Sequence, residues 1–344
     1  MDKLVLYNKS IVNNLLNIRS GETKFGEHVQ FLTSVSNIYD TLKSLDVTYV
    51  IFGLPESVGV FANYGKSGAS TTWEATIKIL LNTQNNSFND AKKVLVLGHL
   101  DFSIEQEQLS KLKQDHSKHI NKARKLVAEI DKHVVDLVST IVSAGKIPIA
   151  IGGGHNNAYG MIKGTSLAFK HPINSINFDA HTDFRALEGR HSGNGFSYAY
   201  AEKFLKRYFA FGLHENYTST NLFKQFKNNK HLDYNTYEAI AIRKQQKFKK
   251  ELQRAEKHIN NTKFGIEIDC DAIINTPSSA QTPSGFSAEK ARQFLHYYAL
   301  LEQASYLHIC EAIAKKKKAN QVGKLVSYLI TDFIRTNSKT HDKN

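Results

Sequence analysis

The chain has 344 residues, 41% of them hydrophobic and 22% charged, with 45 Lys+Arg against 32 Asp+Glu and a formal net charge of +13. This composition supports a sizeable core and excludes wholesale disorder. The basic balance raises a nucleic-acid or anionic-membrane reading, which stands or falls on where the charge lies.

In chain order, TYVIFGLP (48–55) and KVLVLGHL (93–100) predict two buried strands. Residues 117–144 then place Ile120, Ala123, Leu126, Val127, Ile130, Val134, Leu137, Val138 and Ile141 at three- and four-residue steps, the pattern of an amphipathic helix. Strand-like runs follow at IPIAIGGG (147–154), INSINFDAH (173–181), YFAFGLHE (208–215), FGIEIDCD (264–271) and YLHICEAI (306–313). Such continuous Val/Ile/Leu/Phe runs suit parallel strands buried on both faces, and their alternation with helical segments predicts βαβ units covered by helices on both sides. With no internal repeat, no low-complexity linker and only five prolines, a single domain over 1–344 is expected, its core at about 48–335.

The positive charge concentrates in residues 201–260, with 13 Lys+Arg and 6 Asp+Glu, and in 301–344, with 8 and 4. KFKKELQRAEKH (247–258) mixes signs at helical spacing, as a solvated helix face does, and Lys315–Lys318 falls in a loop between a strand and the last helix. Neither resembles a nucleic-acid-binding segment, so no nucleic-acid partner is expected. The apolar runs are shorter than the ~18 residues a membrane span needs, and no membrane partner is expected either. Two cysteines, Cys270 and Cys310, are too few for a disulfide framework, and the N-terminal stretch has no signal-like apolar run. The expected setting is the cytoplasm.

In open parallel sheets, ligands sit outside the carboxyl ends of the strands. There the chain carries Gly152-Gly153-Gly154-His155, then Asp179-Ala180-His181-Thr182-Asp183, then Asp269-Cys270-Asp271. On an extended chain i, i+2 and i+4 share a side, so Asp179, His181 and Asp183 converge, as do Asp269 and Asp271, with Cys270 pointing away. Taken singly, His155 reads as an ordinary strand-end histidine and Asp269 and Asp271 as helix caps. Together, four carboxylates and two imidazoles at three buried strand ends would force their own protonation unless cations neutralise them. Two divalent ions do so. An oxygen-rich donor set with one imidazole per ion favours Mn2+ over zinc, and paired ions activate water for hydrolysis.

These three motifs, together with GLPES (53–57) and YGKSGAS (64–70), resemble the ureohydrolase family of arginase, agmatinase and formimidoylglutamase over about residues 48–335. The resemblance implies a three-layer α/β/α sandwich around a mostly parallel sheet of about eight strands, two Mn2+ per chain, and a homo-oligomer, often a trimer or hexamer. It implies one ion on His155, Asp179, Asp183 and Asp269 and the other on Asp179, His181, Asp269 and Asp271. A bridging hydroxide would attack an amidine or guanidine carbon, with Asp183 or Asp271 in proton transfer and Glu311 gripping the cationic amidine. Two departures stand out. The family usually has a third Asp followed by Pro after the late pair, where this chain reads Ala272-Ile273-Ile274-Asn275-Thr276-Pro277. Arginases have a His shortly after Ser-Gly-Asn, where this chain has Phe196.

Arg185 in DAHTDFR and the later SG-x-x-F, Ser192-Gly193 with Phe196, resemble formimidoylglutamases more than arginases. A guanidinium clamps carboxylates, so Arg185 suits a substrate such as N-formimidoyl-L-glutamate, the dicarboxylate amidine of histidine breakdown, and repels agmatine. Arg185 can equally pair with a ligand aspartate. Ser192, Asn194 and Tyr198 are expected hydrogen-bond donors to the substrate. The alternatives are an arginase, agmatinase or other guanidino-acid hydrolase and, in another class, an inactive scaffold of the same fold.

Overall fold

The computed structural model describes residues 2–34 and 36–341, so Met1, Val35 and Asp342–Asn344 of the expected domain lie outside the described residues. Among the described residues, nine strands run in chain order as β1 (Leu4–Leu6), β2 (Tyr49–Gly53), β3 (Val94–Leu100), β4 (Ile147–Ile151), β5 (Ile173–Phe178), β6 (Leu205–Leu213), β7 (Leu232–Thr236), β8 (Phe264–Asp269) and β9 (Ala304–Cys310). They form one sheet in the order β1-β3-β2-β4-β9-β8-β5-β6-β7. β1 pairs antiparallel with β3, and every other pairing is parallel. All seven predicted runs are strands. The two additions, β1 and β7, are the sheet's edges, where β1 is only three residues long and β7 reads LDYNT. An edge strand has one neighbour, so it needs no continuous apolar run to be held.

Alternate strand residues supply the two faces. Tyr49, Ile51, Ile176, Phe178, Phe209 and Phe211 pack under the helices Thr72–Leu80, Phe248–Ile259, Ala288–Ala299 and Ala319–His341. Val50, Phe52, Ala150, Tyr208 and Ala210 pack under Ser117–Ser143, Asn157–Phe169 and Gly195–Ala201. The result is the expected α/β/α sandwich. The helix predicted at 117–144 is Ser117–Ser143, and its apolar stripe is buried apart from half-buried Leu126. It lies unusually close to Asn157–Phe169, because a Cβ on Gly164 would come within 2.8 Å of both Val135 O and Val138 Cβ. Lys315–Lys318 is exposed between β9 and the last helix, as expected. No described helix is long and apolar enough to cross a membrane.

The centre of the sheet positions the site. β4, β9, β8 and β5 are consecutive neighbours, all parallel, so their carboxyl ends open at one edge. Register sets Phe178 opposite Ile268 and Asp269 opposite Cys310, which brings the ends of β5, β8 and β9 level.

Candidate metal centre

β4 leaves the sheet through Gly152 (φ 88°) and Gly153 (φ 69°), and a Cβ on Gly153 would sit 2.4 Å from Asn157 Nδ2. Only glycine makes this turn. The turn is tied down by Glu56, a fully buried carboxylate of the GLPES segment. It accepts hydrogen bonds from the amides of Val58 (2.6 Å), Gly59 (3.2 Å) and Gly154 (2.9 Å) and from Asn157 Nδ2 (2.8 Å). His155 is thereby aimed along the sheet's edge.

Its Nδ1 lies 2.8 Å from Asp183 Oδ2, 3.2 Å from Asp269 Oδ2 and 3.3 Å from Asp179 Oδ2. His181 Nδ1 lies 3.0 Å from Asp271 Oδ2 and 3.5 Å from Asp179 Oδ1. Donor atoms therefore gather in two groups, each within 4.8 Å: His155, Asp179, Asp183 and Asp269, and Asp179, His181 and Asp271. All six expected donors converge, with Asp179 common to both groups. Asp269 belongs to the first group and is tied to the second where the Asp271 amide donates to its Oδ1 at 2.7 Å. Asp179 Oδ1 is held the same way by the His181 amide, at 2.7 Å. Cys270 points into the core, as expected.

One element of the sequence reasoning is corrected. β5 ends at Phe178, and residues 179–183 are bent rather than extended, with Asp183 in the left-handed region at φ 43°. Convergence of Asp179, His181 and Asp183 comes from this bend, not from strand alternation. Glu311, just past β9, is also left-handed, at φ 63°. Non-glycine residues held in this region concentrate where surrounding structure overrides a local cost.

The donor set fits a cation pair. Both ring nitrogens of His155 and Asp271 Oδ1 are buried without a well-directed hydrogen bond, in a protein interior where such groups are normally paired. Burial pushes the Asp183 carboxyl up to about 6, with the Asp179 charge adding and His155 opposing, and Asp269 goes up from burial and its neighbours Asp271 and Asp179. Burial would depress His155 and His181, yet the surrounding acids raise both well above the usual imidazole value. The acids thus lack positive charge, which protons or metal ions supply.

Above the donors opens a cavity of about 460 Å³. Asp183, Asp269, Asp271, His181 and Glu311 reach it from the strand ends, and Asn63, Arg185, Ser192 and Tyr217 reach it from loops. Glu311 Oε1 accepts from the His155 amide at 2.9 Å, and burial, opposed by that amide and reinforced by Asp271 and Asp183, pushes its carboxyl up to about 8. Arg185 does not pair with a ligand aspartate. Its Nη1 donates to Asn63 Oδ1 (2.7 Å) and its Nη2 lies 3.4 Å from Glu188 Oε1. Ser192 accepts from Asn63 Nδ2 at 3.2 Å beside it.

Asn194 and Tyr198, expected to touch substrate, do not line the cavity. Asn194 is fully buried, accepting from Arg190 Nη1 (2.6 Å) and the His191 amide (3.0 Å) and donating to Gly189 O (2.8 Å) and Ala186 O (3.2 Å). Its capacity is spent on shaping the loop. Tyr198 accepts from the Gly189 amide and underlies the Arg190 guanidinium. Phe196 is buried edge-on to His155 and can relay no proton. Where the third Asp is missing, the loop is instead held by the Ile273–Phe286 bridge, through Ile274 N to Phe286 O (2.9 Å) and Phe286 N to Ala272 O (3.0 Å).

Sequence reasoning missed Glu56, although an acid just past a buried strand is the signal that singled out Asp179. Asn63 and Tyr217 carry no such signal.

The family model described as "Arginase family" matches residues 48–331. The chain belongs to the arginase family. A formimidoylglutamase of Streptococcus pyogenes serotype M3 is 27% identical over 240 residues, covering 67% of this chain and 66% of that protein, just under two thirds of its length. Two solved formimidoylglutamases share the fold. The Bacillus subtilis protein aligns with a TM-score of 0.70 at 18% identity, covering 94% of each chain. Trypanosoma cruzi formiminoglutamase with Mn2+2 aligns at 0.67 and 19%, covering 87% of this chain and 97% of that one. An agmatine ureohydrolase of Thermoplasma volcanium aligns at 0.63 and 18%, covering 88% and 93%. The arginase-family fold is therefore common to relatives named for different substrates.

Proposed function

We propose that this arginase-family chain is a Mn2+-dependent hydrolase of a linear amidine, N-formimidoyl-L-glutamate, which it converts with water to L-glutamate and formamide, as in histidine breakdown. The observation that carries the reading is one cavity with a cluster of six metal-type donors at its base, four of which (His181, Asp183, Asp269 and Asp271) line it, and a guanidinium, Arg185, at its wall. Those six donors would hold two Mn2+ ions, whose chemistry when bound would be to activate water at neutral pH.

The chain's own residues do the rest. Glu311 faces the cavity; a cationic amidine beside it opposes the burial that raises its carboxyl, and the carboxylate takes hydrogen bonds from the amidine N–H groups. Arg185 keeps N–H donors free beyond those committed to Asn63 and Glu188, and these clamp a substrate carboxylate. The two contacts hold the amidine carbon over the floor. Oxygen adds to that carbon, the bond from carbon to the glutamate nitrogen breaks, and Asp183 or Asp271 carries the proton from the attacking water to the leaving amine. Agmatine, which has no carboxylate, places only cationic groups beside Arg185.

The test is product analysis with purified, Mn2+-loaded protein offered N-formimidoyl-L-glutamate, arginine and agmatine separately. Formamide from the first substrate is expected. Urea from arginine, with no formamide, overturns the assignment.

A further inference from the structure

His155 has two ring nitrogens, and only Nδ1 faces the carboxylate cluster. Nε2 points the other way, 3.5 Å from Glu267 Oε2, and like Nδ1 it makes no well-directed hydrogen bond. Glu267 sits in the middle of β8 between Ile266 and Ile268 and is 0% exposed. It lies outside the cavity lining. A carboxylate at such a position costs several kcal/mol unless it is fully partnered, and an aliphatic residue of similar size is the economical alternative. This one is held on both oxygens: Tyr306 OH donates to Oε1 at 2.7 Å, and His308 Nδ1 lies 2.6 Å from Oε2. Both partners come from β9, where His308 is the register partner of Glu267. Four buried polar side chains, from β8, β9 and the turn after β4, therefore converge behind the candidate metal centre, outside the cavity lining.

His155, His308 and Cys310 also bring donor atoms within 4.8 Å of one another. They do not make a further metal site. Once the Nδ1 lone pair of His155 is turned toward the acids, the neutral ring carries its proton on Nε2 and offers no second lone pair.

We propose that Glu267 is a positioning residue for the metal ligand His155: its carboxylate accepts the Nε2–H, keeps that tautomer, and so presents the Nδ1 lone pair to the carboxylate cluster. Tyr306 and His308 fix Glu267 for this task. A carboxylate behind a ligating imidazole raises the ligand's basicity and sets its ring orientation. An ion held on Nδ1 would polarise the Nε2–H and strengthen its attraction to the Glu267 carboxylate. The inference rests on the reading of the cluster as a metal pair.

The experiment is a Mn2+ titration of wild-type protein and Glu267→Gln, following free Mn2+ by electron paramagnetic resonance, with circular dichroism to confirm the fold. Wild type is expected to bind two ions. In E267Q the ion of the His155 group binds about 10–100-fold more weakly, while the ion of the His181 group changes less. Two ions bound by E267Q with wild-type affinities overturn the inference alone. A wild-type protein that takes up no Mn2+ overturns the metal reading, and the inference with it. If E267Q does not fold, the tautomer is read in wild type loaded with diamagnetic Zn2+, from 15N-histidine spectra assigned with His155→Asn. A proton on His155 Nε2 supports the inference, and a proton on Nδ1 overturns it.

Discussion

Replacing Arg185 with alanine removes one guanidinium from the wall of the cavity and nothing from its floor. In the free protein, Asn63 and Glu188 occupy two of its five N–H donors, so the side chain is already oriented while keeping donors for a ligand. Orientation in advance means that little rotamer entropy is lost when a carboxylate arrives. Hydrogen bonds to charged groups contribute about 1.5–3 kcal/mol. Arg185 is 48% exposed, which screens the contact and places it at the lower end, about 1.5–2 kcal/mol. At about 1.4 kcal/mol per decade, this is a loss of roughly 10–30-fold in kcat/KM. Because the carboxylate is held in the ground state as well as the transition state, the loss appears mainly as a raised KM with a smaller change in kcat. Arg185→Lys keeps the charge but loses the planar fork and falls in between. The assay is steady-state formamide release from N-formimidoyl-L-glutamate with Mn2+ content checked in each variant. An R185A enzyme with unchanged KM and intact metal content removes Arg185 from substrate recognition.

Three further outcomes are expected. Burial, reinforced by Arg185 and Arg124 and opposed by Glu188, holds the His191 imidazole down at about 4, below its usual ~6.5. Between those values the unfolded chain binds more protons, so stability falls as pH drops from about 6.5 to about 4, by an amount on the order of 2 kcal/mol. His191→Gln should lack that share of the loss; urea midpoints at pH 7 and pH 4.5 that shift equally in both proteins contradict this. Gly164→Leu drives a side chain into the backbone of the 117–143 helix, where even a Cβ would lie 2.8 Å from Val135 O, and should cost at least about 1–3 kcal/mol, read as a lowered thermal midpoint. A midpoint equal to wild type would mean that the two helices separate freely. Adding Mn2+ to chelator-stripped protein at about 100 times its Kd should stabilise it by about 2.7 kcal/mol, whereas a scaffold without a metal centre shows no such gain in calorimetry.

Most of the architecture and nearly all of the candidate metal centre were legible in the sequence because both depend on strong local signals. Doubly buried strands must be continuously apolar, so β2, β3, β4, β5, β6, β8 and β9 announce themselves. The edge strands β1 and β7 are under no such demand. Charged groups that follow a buried strand are costly without a partner, so His155, Asp179, His181, Asp183, Asp269 and Asp271 stood out. Asn194 was misjudged because its residue type suits substrate contact and loop stapling equally well, and only the positions of Arg190, His191, Ala186 and Gly189 decide between them.

From the sequence alone came the donor set and its chemistry: which side chains end the strands, their sign, and the need for cations. Tertiary structure decided their meeting. β8 and β9, last of the strands in the chain, insert between β4 and β5, so residues more than 100 positions apart become neighbours at one sheet edge. Nothing local encodes that order, since every buried parallel strand carries the same apolar run and pairs equally well on paper. The same applies to Asn63 beside Arg185 and Glu267 behind His155. Those approaches exist only because helix packing and strand register bring distant segments side by side, and no spacing along the chain records them.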